Sequence, residues 1–159
     1  MRRALVLLAG LVVLLVIDWT IAARERIVTD GRVVLLELAP VDPRSLMQGD
    51  YMALRFRVVD ALPRGNTAPI PADGWLVVGV AADDVATYRR LDDGTPLAPD
   101  EVRLRYRVRD RSVRLATDAF FFPEGQGARY AGARYGEFRV AADGEALLTG
   151  LRDAGRKPL

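Results

Sequence analysis

Residues 101–115, "EVRLRYRVRDRSVRL", alternate apolar and charged side chains more strictly than any other stretch of the chain. Successive side chains of a strand point to opposite faces, so Val102, Leu104, Tyr106 and Val108 are expected to face a core, with Arg103, Arg105, Arg107 and Arg109 facing outward. A helix would scatter both sets around its circumference, which makes this segment a strand with one buried face. Like charges about 7 Å apart along a strand repel one another, so the basic face calls for carboxylates, anionic lipid or a partner's acidic surface nearby. Two readings stay open for it: a solvated face paired with acids of a neighbouring strand, or a functional basic face.

The rest of the chain after Arg26 follows the same rule, with short alternating or apolar runs between turn residues and no sustained helical period. "RVVLLEL" (32–38) is apolar enough for a central strand, and "WLVVGVA" (75–81) for a buried one. "YMALRFRVV" (51–59) places Met52, Leu54, Phe56 and Val58 on one face and Tyr51, Arg55 and Arg57 on the other. "DDVATYRRL" (83–91) is read as a strand hairpinned to 75–81, although Val85, Tyr88 and Leu91 also fit one helix face. Asp143-Gly144 suits the turn of a closing hairpin over 134–151, while the proline- and glycine-rich 60–74 forms a loop and 153–159 a flexible tail. The fold class predicted is mainly β: a compact barrel or sandwich of about seven or eight strands, because an open sheet of that size would expose its edges.

Composition bounds the chemistry. With 159 residues, half of them hydrophobic, the chain holds one real core, and a formal charge of +2 gives no reason to expect nucleic acid as a partner. The absence of cysteine and histidine excludes disulfides, thiolate and imidazole metal sites, and Ser-His or Cys-His nucleophiles. Asp92-Asp93-Gly94 reads as an ordinary turn without the alternating ligands of a calcium loop, so neither a metal nor a cofactor is predicted.

The first residues, "MRRALVLLAGLVVLLVIDWTIAAR", are a different material. A helix from about Ala4 to Ala23 is long enough to cross a bilayer core of about 30 Å, with Trp19 and Asp18 near one interface. The predicted organisation is an anchor over 1–25, an extracytoplasmic β domain over 26–152 and the tail over 153–159. The chain is expected in the inner (cytoplasmic) membrane as a single pass, with the lipid bilayer as first partner. A cleaved signal peptide, with Thr20 and Ala22 as the small residues before the cut, is the competing reading.

In "PVDPRSLMQGDYMALRF" (40–56), Asp42 fits a helix N-cap, Pro43 the first helical position and Gly49 a left-handed stop, which predicts one or two helical turns leading into a strand. Asp50 and Tyr51 at the strand entry, with Arg55 and Arg57 along it and Ser45 just before it, are the residues left for contact or chemistry. "FFFPEGQ" (120–126) puts three aromatic rings before an acid, so one ring is expected to face outward, and Glu124 is the second carboxylate of interest.

Gly49-Asp50-Tyr51, Leu54 and an aromatic at 56, together with "PVDPRSLMQ", "FFFPEGQGARY" and the closing "YGEFRV", resemble the GDYXXLXY family of membrane-anchored proteins across nearly the whole exported domain. Phe56 stands where the family pattern has tyrosine, which argues against an essential hydroxyl there. The resemblance implies an N-terminal anchor and association with a polytopic membrane protein, and no reaction. The expected function is therefore an accessory or interaction domain. A hydrolase or small-ligand binder using Asp50 and Glu124 is the alternative, as is a fold like that of the signal peptidases without their Ser-Lys dyad, since Ser45 would have to be served by Lys157 near the C-terminus.

Overall fold

The computed structural model describes residues 2–39, 51–62, 70–110 and 112–159. Its first element, α1 (Arg2–Asp30), is about 43 Å long and outruns the expected anchor by more than a turn. Leu7, Leu8 and every residue from Leu11 to Ile17 are exposed, so apolar side chains surround the helix instead of lining one face. A helix apolar on all sides belongs in lipid or inside a larger core. Among the described residues, Leu7–Asp30 is the one helix long and apolar enough to span a membrane, and the rest of the chain covers none of its apolar stretch.

Gly31 joins α1 directly to β1 (Arg32–Glu37). It is buried, its N–H donates to Ile27 O at 3.1 Å, and Arg139 Nη1 donates to its carbonyl at 3.2 Å. A side chain there would begin 2.3 Å from Ile27 O and 3.1 Å from Arg139 Cβ, which leaves room only for hydrogen.

The strands that follow are β2 (Tyr51–Ala53), β3 (Asp73–Val80), β4 (Ala86–Leu91), β5 (Glu101–Arg109), β6 (Ser112–Arg114), β7 (Ala119–Phe121), β8 (Tyr135–Val140) and β9 (Ala146–Arg152). Two four-residue helices, α2 (Arg57–Asp60) and α3 (Gly127–Tyr130), interrupt them. The chain is thus mainly β, as its alternation predicts, with nine strands among the described residues. They form antiparallel sheets in the orders β1-β8-β9, β4-β3-β5-β6 and β2-β7, curled into a half-barrel. The larger sheets meet where Leu35 N–H donates to Asp84 O (2.8 Å), and again where Arg105 N–H donates to Gly144 O (3.0 Å) beyond the end of β6.

The core lies inside the curl. Leu36, Leu76, Leu104, Phe138 and Leu151 are almost fully buried, and Phe138 meets Phe56 edge to face with centroids 5.3 Å apart. Burying aromatic and leucine side chains at about 1.5–3 kcal/mol each is what holds so small a curl closed.

Several expectations shift. "YMALRFRVV" buries Met52, Leu54, Phe56 and Val58 as predicted, but only Tyr51–Ala53 is strand and Val58 reaches the core from α2. Val34, Leu35 and Leu36 are buried as expected of a central strand, yet β1 pairs fully only with β8 and touches the neighbouring sheet through one bridge at Val85. The 83–91 segment does form a strand, β4, hairpinned to β3. Asp143-Gly144 is the β8–β9 turn, with Gly144 at φ +86°. Residues 153–159, expected as a loose tail, turn back on β9: Leu159 N–H donates to Leu151 O at 3.0 Å, and Arg156 pairs with Asp83 at 2.6 Å.

Candidate functional site

The outward face of β5 has two unlike halves. Near its start, Glu101 sits 2.5 Å from Arg90 of β4 and also accepts from Ala98 N–H at 3.1 Å. The Arg90 hydrogen bond, with that of Ala98, holds the Glu101 carboxyl below the usual carboxylate range and raises the Arg90 guanidinium. Arg103 Nε lies 2.8 Å from Asp92 Oδ2, but the N–H does not point along a hydrogen bond, so charge alone holds that pair. Arg105 is 2.6 Å from Glu145, which the β8–β9 turn carries across to it, and Trp75 Nε1 donates to Asp143 O in the same turn at 3.1 Å.

From Arg107 the close ion pairs stop, although Asp73 stands across from Arg107 in the β3–β5 register. Arg107 and Arg109 are exposed and have no acidic partner within 4 Å among the described residues. The outward face is therefore partly the paired face and partly the free one, split at the middle of the strand. Beneath it Tyr106 is buried, and desolvation raises its phenol above the ordinary value.

A cleft of about 460 Å³ opens over this free half. Arg105, Arg107 and Arg109 form one wall, and Arg114 lies beside Arg107 on β6, with an ion pair to Asp118 and a second contact to Asp110 at 3.6 Å. Glu145 and the start of β9 close the floor. The last contributor is Arg24 of α1, exposed and likewise without an acidic partner among the described residues. Five arginines against two lining carboxylates leave the cleft with a net positive lining, the charge that suits an anion.

A second cleft of about 570 Å³ lies across the 114–118 segment, between α2, the end of β2 and β6. Leu54, Phe56, Leu62 and Ile70 make it more apolar, and Arg55 at its rim pairs with Asp60 at 3.3 Å. Arg57 points elsewhere, to Glu37 at 3.3 Å. Both arginines singled out in the sequence thus take part in local ion pairs.

Tyr51 and Phe121 face each other across the β2–β7 pair, with ring centroids 5.8 Å apart. Phe121 is 75% exposed and Tyr51 37%. The prediction that one ring of the Phe triplet faces outward holds, while Phe120 and Phe122 turn inward onto Tyr130 at 5.1 Å each. Tyr51, Leu54 and Phe56 of the motif therefore divide between surface and core, and Phe56 has a hydrocarbon environment that asks nothing of a hydroxyl.

Asp42, Pro43, Ser45, Gly49 and Asp50 lie outside the described residues. Glu124 stands exposed in the turn after Phe122, and the described residues contain no group of three carboxylates placed to hold a metal ion. Lys157, the lysine a Ser-Lys dyad would need, is exposed in the turn after β9. Arg24, Arg114 and Asp118 escaped the sequence reading. Arg24 is the first basic residue after the apolar run, and Arg114–Asp118 is an i, i+4 pair, but their meeting with β5 depends on long-range packing.

A family model described as GDYXXLXY protein matches residues 13–151. No curated protein and no solved structure matches the chain.

Proposed function

This chain belongs to the GDYXXLXY family, and we propose that it is a single-pass inner-membrane protein whose β domain serves on the extracytoplasmic face as an accessory or interaction subunit of a polytopic membrane protein. The observation that carries the reading is α1, whose apolar surface the rest of the chain leaves uncovered. Lipid or the helices of a partner would remove that surface from water, and burial is worth roughly 25 cal/mol per Å². All nine strands among the described residues follow α1, so a spanning α1 puts that sheet assembly on one side of the membrane.

The Tyr51–Phe121 pair supplies the second support. A large exposed aromatic braced by another ring is the kind of anchor that interfaces use, because its area is buried at little entropic cost. Protease treatment of spheroplasts tests the topology: the β domain should be digested, and its protection would sink the extracytoplasmic placement. A photocrosslinking residue at position 121 tests the partner. It should trap the same polytopic protein repeatedly, whereas one at Arg89 on β4 should not; recovery of the chain alone from both positions would overturn the accessory role.

A further inference from the structure

We propose that the arginine cleft beside α1 binds the anionic phosphate of a phospholipid headgroup, which makes the β domain a reader of the bilayer it is anchored in. The inference rests on α1 being the membrane span. Arg24 directly follows the span expected from about Ala4 to Ala23, six residues past Asp18, so in a spanning helix it lies at the surface where headgroup phosphates sit. Its place in the cleft brings Arg107 and Arg109 to the same level.

Three features fit that ligand. The free charge is concentrated: Arg24, Arg107 and Arg109 lack acidic partners among the described residues, whereas Arg105 and Arg114 are held in place by Glu145 and Asp118. The volume, about 460 Å³, falls within the roughly 300–1,000 Å³ of small-molecule sites and is ample for a phosphodiester with its glycerol. Leu115, Ala146 and Leu147 give the cleft an apolar margin on which the top of an acyl chain can lie. A soluble phosphate shares the charge but has no use for that margin or for the membrane-level position of Arg24.

The test uses the full chain in mixed detergent micelles containing phosphatidylglycerol and phosphatidylcholine, with bound lipid counted by native mass spectrometry. The wild type should retain phosphatidylglycerol selectively. Each arginine near an anionic surface contributes about 1 kcal/mol, so Arg107→Gln with Arg109→Gln should reduce that preference roughly thirtyfold. Arg24→Gln, made on a different element, should reduce it by about fivefold. Arg89→Gln with Arg156→Gln removes the same charge away from the cleft and should leave the preference intact. An unchanged preference in the cleft variants, or an equal loss in the charge-matched control, overturns the proposal. Displacement of the lipid by inorganic phosphate reassigns the cleft to a soluble anion and overturns the lipid assignment. Near-ultraviolet circular dichroism confirms that each variant is folded. Carbonate washing of membranes reads the anchor separately: release of the chain sinks the spanning reading, while retention without lipid preference sinks only this inference.

Discussion

Residues 101–105 and 107–109 belong to one strand, share one alternation and carry the same arginines, yet they have opposite surroundings. In the first part every outward charge meets another: Glu101 meets Arg90, Arg103 meets Asp92 and Arg105 meets Glu145. In the second, Arg107 and Arg109 face the cleft with Arg24 and form no ion pair among the described residues. A charged strand face thus acquires its role from what other elements deliver to it. The β4–β5 loop and the β8–β9 turn supply carboxylates to one half; α1 supplies another cation to the other.

The inward face sets the scale for breaking this contrast. Leu104→Ala, at a residue 2% exposed, should cost about 2–5 kcal/mol, read as a lower thermal midpoint of the full chain in detergent. Next comes Asp92→Asn. It leaves the buried Nε of Arg103 without its countercharge and should cost about 1–3 kcal/mol, while a matching loss on the free half is not expected.

Stability should also depend on pH through the paired half. Because Arg90 lowers the folded-state pKa of Glu101, the pair contributes fully above the unfolded value of about 4.3 and loses its contribution as pH falls through the lower folded value. Acid titration of the melting temperature should therefore be shallower for Glu101→Gln than for the wild type. A slope identical in both would detach Glu101 from stability. The smallest effect is expected for Arg107→Gln with Arg109→Gln, within about 0.5 kcal/mol of the wild type and stabilising if repulsion dominates. A loss greater than that of Asp92→Asn would mean that the free half has structural partners after all.

Much of the fold was legible because period two is a local property. The faces of β5 follow from its alternation, and so does the burial of Met52, Leu54, Phe56 and Val58. Local pattern failed where two structures bury the same residues: a four-residue helix carries Val58 inward as readily as a strand would, so the end of β2 at Ala53 could not be read from polarity. The candidate cleft was half legible. Its basic wall was visible in the strand, but Glu145 is 40 residues from Arg105 and Arg24 is farther still from Arg107, and no single-sequence spacing encodes such meetings. The tail was misjudged for the same reason, since Asp83 holds Arg156 from 73 residues away.

The joint at Gly31 gives the molecule its mechanics. One residue separates a rod about 43 Å long from the first strand, and that residue is clamped by Ile27 on one side and Arg139 on the other. Such a joint has no slack, so the domain behaves as the head of a lever and not as a float on a tether. A tilt or rotation of the rod would therefore be passed to the head, and a torque on the head back along the rod.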